Sequence, residues 1–124
     1  MMWLTHDSAH VPAPLKTIDN AHPELSTRIE HIVGLPILCN RSQNPAAGST
    51  LTISYTAGTR ILELFALEEY VKAYNGHTVV RDMEFFVQVV ALDCIKALGH
   101  DVQVSGDIMY EGLNQRQSII VGTV

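Results

Sequence analysis

The sequence predicts an α+β domain, a four-stranded antiparallel sheet with two helices on one face in the order ββααββ. Three observations predict it. Residues 49–55 alternate, with Leu51, Ile53 and Tyr55 on one side and Ser or Thr between them. Residues 82–98 carry an apolar stripe at helical spacing (Phe86, Val87, Val90, Ala91, Cys94, Leu98), closed by Gly99. Two strand-like segments, 101–110 and 117–121, follow that helix across a turn at 111–114. At 124 residues the chain has the size of one domain, and 47% hydrophobic against 17% charged residues suits a buried core.

Three of the five prolines fall in residues 1–25, which show no periodicity and read as a loop-like N-terminal arm. Residues 28–33 are β-branched enough for a first strand, limited by Pro36. The polar stretch 40–48, holding Pro45 and Gly48, reads as a loop. After strand 49–55, a turn at 57–59 and a return strand at 60–65 read as a hairpin. Leu67, Tyr70, Val71 and Tyr74 mark a short amphipathic helix that Asn75 and Gly76 terminate. A sheet of four strands under one helical layer leaves two open edges, so a homo-oligomer is expected.

Eight Lys and Arg against thirteen Asp and Glu give a formal charge of -5, which argues against a nucleic-acid partner. No apolar run approaches the ~20 residues of a membrane span, and residues 1–7 lack a basic n-region, so a cytoplasmic protein is expected. His6 and His10 are four apart but lie on the arm, so no metal site is expected. Phosphate-cradling glycine loops and the Gly-x-Ser-x-Gly nucleophile turn are absent.

Four residues stand out. Cys39 closes an apolar run and opens the polar loop, where a thiol could face a pocket; the alternative is a small buried hydrophobe, the reading that fits Cys94. Glu63 falls in the predicted return strand between Leu62 and Leu64, sharing a face with Ile61 and Phe65. A carboxylate held there needs a partner, such as a planar ring with two N–H donors; otherwise it faces water or pairs with Arg60. Asp82 and Glu84 open the long helix, where acidic residues complement the helix dipole by default.

The segments Asn20-Ala21-His22-Pro23-Glu24, Leu38-Cys39, Pro45, Thr52-Ile53-Ser54-Tyr55, Leu62-Glu63 and Leu67 to Tyr70 resemble the QueF family, the 7-cyano-7-deazaguanine reductases of the tunnelling-fold (T-fold) superfamily. The resemblance covers the chain from about residue 20 to the last strand. It implies a T-fold unit, with Cys39 as the nucleophile that attacks a nitrile carbon to give a thioimide, Glu63 gripping the purine-like ring and Asp82 contacting substrate. Three departures accompany it. The family's Glu near the start of the long helix, preceded by His, is Asp82 preceded by Arg81 here. The family's proton-donating Asp after the loop Pro is Ala46 here. The two Lys of its nicotinamide-cofactor motif are Phe65 and Glu68, which remove attraction for a dinucleotide phosphate, so no NADPH cofactor is expected.

The expected function is thus a purine- or pterin-like ligand bound in an intersubunit pocket, with covalent Cys39 chemistry at a nitrile-type carbon, nitrile reductase-like or amidine-forming-like, if the protein is an enzyme. The alternatives are a non-catalytic binding module that kept the pocket and a purely structural oligomer.

Overall fold

The alternation of β-branched and polar residues through the chain's two halves builds one antiparallel sheet. In a computed structural model, which describes residues 13–123, its strands are β2 (Arg28–Gly34), β3 (Thr50–Thr56), β5 (Gln103–Met109) and β6 (Arg116–Val121). They lie side by side in that chain order. Helices α1 (Leu64–Lys72) and α2 (Met83–Leu98) are inserted between β3 and β5. A second, two-stranded sheet joins β1 (Thr17–Asp19) to β4 (Arg60–Leu62).

Leu51, Ile53 and Tyr55 of β3, with Val104 and Ile108 of β5, are buried in one cluster with Leu67, Tyr70 and Val71 of α1 and Phe86, Val87 and Val90 of α2. Fully burying such side chains stabilises the fold by roughly 1.5–3 kcal/mol each. Gly106 in β5 shows how closely α2 approaches: a Cβ there would stand 3.2 Å from Val87 Cγ2 and 3.0 Å from Ile108 Cδ1. Asp82 caps α2, its carboxylate accepting from Phe85 N at 2.7 Å, and Gly99 ends it in the left-handed region at φ 80°. Tyr70 Oη donates to Asp93 at 2.5 Å, fastening α1 to α2.

The opposite face carries the row Ile32, Thr52, Ser105, Ile120, aligned by register across all four strands. Ile32 and Ile120, at its two ends, are 68% and 65% exposed. Among the described residues, the outer edges of β2 and β6 have no partner strand.

Several expectations are corrected. The return strand stops at Leu62 rather than residue 65, and it forms no hairpin with β3. Both edges of β3 are taken by β2 and β5, so β4 pairs with β1 instead, Thr17 opposite Leu62. Consequently Glu63 is not mid-strand: it is the N-cap of α1, which starts three residues earlier than the spacing predicts and ends at Lys72. The arm is not wholly loop either, since 17–19 is strand β1; residues 1–12, including His6 and His10, lie outside the described part. Arg60 binds Thr17 through Oγ1 (3.0 Å) and the carbonyl (2.9 Å) and pairs with Asp19, so it is engaged by β1 rather than by Glu63. The expected strand at 28–33, the loop at 40–48 and the long helix hold as read.

Candidate functional site

Leu38 is fully buried, and the chain then turns outward, which places the Cys39 thiol at a half-buried surface position. The loop that follows is held from several sides. Leu38 N and Cys39 N both donate to Asn44 O (3.0 and 3.1 Å), and Gln43 N donates back to Cys39 O at 2.8 Å. Asn44 Oδ1 accepts from Glu111 N at 2.7 Å, and Ala46 N donates to Met109 O at 2.8 Å. Buried Ser49 binds the Met109 backbone through its hydroxyl, accepting from the N–H at 2.9 Å and donating to the carbonyl at 3.3 Å. Every buried backbone group in this stretch that finds a partner in β5 or its following turn fixes the thiol relative to the sheet.

From the other side come the residues preceding α2. His77 is buried against Tyr74, ring centroids 5.0 Å apart, and its Nδ1 accepts from Val79 N (3.1 Å) and Val80 N (2.9 Å). That turn delivers Arg81, Asp82 and Glu84 to the rim of a cleft of about 390 Å³ that Cys39 also lines. Tyr110 and Gln117 complete its polar wall. The volume lies within the range of small-molecule sites.

The electrostatics favour a reactive thiol. Hydrogen bonding from Ser42, first through its side chain and then its backbone, holds the Cys39 thiol below its ordinary pKa; the Arg81 charge adds to this, and partial burial opposes it. Cys94 is the opposite case: fully buried in the helix stripe, its thiol is pushed up to about 12 by burial. Glu84 is held below the usual carboxylate range by the Gln117 side chain, while burial and then the Glu84 and Asp82 charges push the Tyr110 phenol up.

The structure brings Cys39 and Asp82 into one cleft and leaves Glu63 outside it. Glu63 lines a separate hollow of about 420 Å³ with Lys16, Phe65 and Glu69. Its two carboxylate oxygens accept from Phe65 N (2.8 Å) and Ala66 N (2.9 Å), which hold it below its ordinary pKa, with Lys16 contributing less. Ala46 lines a third hollow with Gln43 and Pro45, one that Cys39 does not line. Phe65, one of the two positions read against a dinucleotide cofactor, is 79% exposed on α1, and Glu68 pairs loosely with Lys72 at 3.8 Å.

Sequence reading missed Tyr110 and Gln117. Each is distant from Cys39 along the chain, and no motif spacing links a residue of β6 to the first turn of α2. The Gln117–Glu84 hydrogen bond spans 33 residues, so only the fold makes them neighbours. Among the described residues no group of three or more His, Cys, Asp or Glu is placed to hold a metal ion, and no helix is long and apolar enough to cross a membrane. Compared with known proteins, the chain matches no protein-family model, and no curated protein matches it.

Proposed function

We propose that the chain is a QueF-like T-fold protein that binds a purine- or pterin-like heterocycle in the Cys39 cleft, within a homo-oligomer. The observation that carries this reading is the shared cleft itself: a thiol with a lowered pKa, two carboxylates and three carboxamides converge on one cavity of ligand size. Glu63 lies in another hollow of the same protomer, so its grip on the ring is an intersubunit contact, made by the partner's Glu63. The open edges of β2 and β6 and the exposed Ile32 to Ile120 row support self-association. A net charge of -5 and two unpaired thiols suit a cytoplasmic protein that does not bind nucleic acid.

The chemistry proposed is addition without electron transfer. The Cys39 sulfur attacks a nitrile carbon, an S–C bond forms, one C–N π bond breaks, and the nitrogen takes up a proton to give the thioimide. No hydride step is included, because the residues that would hold a nicotinamide dinucleotide are Phe65 and Glu68. Intact-mass measurement after incubation with 7-cyano-7-deazaguanine tests it. An adduct of ligand mass on the native chain, lost in Cys39→Ser, is expected; no adduct on the native chain removes the covalent step.

Ala46 favours a second reading, a binding module without turnover. It stands where the family carries its acid, and alanine has no proton to give. On that reading Glu63→Ala abolishes thermal stabilisation by the ligand while Cys39→Ala preserves it.

A further inference from the structure

One wall of the Cys39 cleft is built from three side chains on three elements: Glu84 in the first turn of α2, Tyr110 just after β5 and Gln117 in β6. Gln117 Nε2 donates to Glu84 Oε2 at 2.7 Å, and the Tyr110 hydroxyl donates to Gln117 Oε1. A primary carboxamide is nearly symmetric in shape, so an unrestrained glutamine turns over and presents either N–H or C=O to the same ligand atom. Here that freedom is removed. An ionised carboxylate only accepts, so the amide nitrogen must face Glu84, and the phenol proton then goes to the amide oxygen. Among the described residues, the second N–H of Gln117 has no hydrogen-bond partner.

We infer that Gln117 is the specificity-determining residue of this cleft: its remaining N–H donates to an exocyclic carbonyl oxygen of the bound ring, and Glu84 and Tyr110 are positioning residues that lock the carboxamide in that sense. The inference rests on the heterocycle reading above. A ring carrying an amino group in place of that carbonyl sets N–H against N–H and leaves both unpaired. A site built around a hydrogen bond rejects such a ligand far more strongly than a site lined with hydrocarbon does. The cleft therefore selects oxo over amino rings.

Calorimetric titration tests this with two probes, 7-cyano-7-deazaguanine and the same ring with the carbonyl replaced by an amino group. The native chain is expected to prefer the oxo ring by about tenfold or more. Glu84→Ala and Tyr110→Phe free the carboxamide to turn over and narrow that ratio to about threefold or less, and Gln117→Glu, which offers only acceptors, inverts it. Glu84 is exposed, so its variant keeps the fold and carries the test even if the Tyr110 variant does not. An oxo preference that persists unchanged in Glu84→Ala and Gln117→Glu overturns the role of Gln117 and leaves the heterocycle reading standing. Binding of neither probe by the native chain overturns the heterocycle reading and this inference together.

Discussion

Both helices begin in the same way and lead to different surroundings. At α1 the Glu63 carboxylate accepts from Phe65 N and Ala66 N; at α2 the Asp82 carboxylate accepts from Phe85 N. Locally these are equivalent solutions to the unsatisfied N–H groups of a first turn. The α1 cap opens onto an exposed shoulder carrying Phe65, whereas the α2 cap opens onto the cleft with Cys39, Arg81 and Gln117. An acidic cap is thus a structural device first. What the surrounding fold brings within reach decides whether it also meets a ligand.

The experiment that bears hardest on this contrast mixes two defective proteins. On the proposed reading Cys39→Ala lacks the nucleophile and Glu63→Ala lacks the ring anchor, so neither alone is expected to form the nitrile adduct. If the α1 cap of one protomer completes the cleft of its partner, co-refolding the two restores adduct on the Glu63→Ala chains, read by intact mass. Restoration joins the two regions into one site; continued absence, with each variant oligomeric, separates them and confines the site to the α2 end.

A smaller effect sharpens the contrast at α2. Asp82→Ala loses the cap and is expected to cost about 1 kcal/mol of stability, read as a lower Tm. Asp82→Asn keeps an acceptor for Phe85 N and holds Tm near the native value. If the carboxylate also meets ligand, Asp82→Asn weakens binding without the loss of stability. Equal ligand binding by native and Asn proteins would reduce Asp82 to a cap, as at α1.

The smallest effect concerns the thiol. Because Ser42 and Arg81 stabilise the thiolate, the pH midpoint of Cys39 alkylation lies below that of an ordinary cysteine: at a given pH more of the reactive form is present. Removing the hydroxyl in Ser42→Ala raises the midpoint toward the ordinary value, and Arg81→Ala raises it less. Cys94 stays unreactive throughout, since burial keeps it protonated. A midpoint unchanged in Ser42→Ala would mean that the loop does not activate the thiol.

Much of the fold is legible in residues that report their own surroundings. The alternation in β3 and the stripe on α2 place Leu51, Ile53, Phe86 and Val90 in the core without reference to any partner. Gly99 ends α2 because its left-handed conformation excludes most side chains. Glu63 reads as a strand residue for an equally local reason. Glutamate is not among the favoured cap residues, and Ile61, Leu62, Leu64 and Phe65 on either side of it continue a strand pattern through it. The hairpin failed because turn chemistry at 57–59 says only that the chain reverses, whereas β2 and β5 compete for the edges of β3.

The sequence by itself determined the fold class, the two helices and the buried face of the sheet, because period and capping are properties of neighbours along the chain. Only the tertiary structure decided which strands pair, and that Cys39, Glu84, Tyr110 and Gln117 surround one cavity while Glu63 does not. Contacts between residues far apart in sequence carry no local signature. They follow from the packing of α2 against β5 and β6, a choice made by the burial of the whole apolar surface at once.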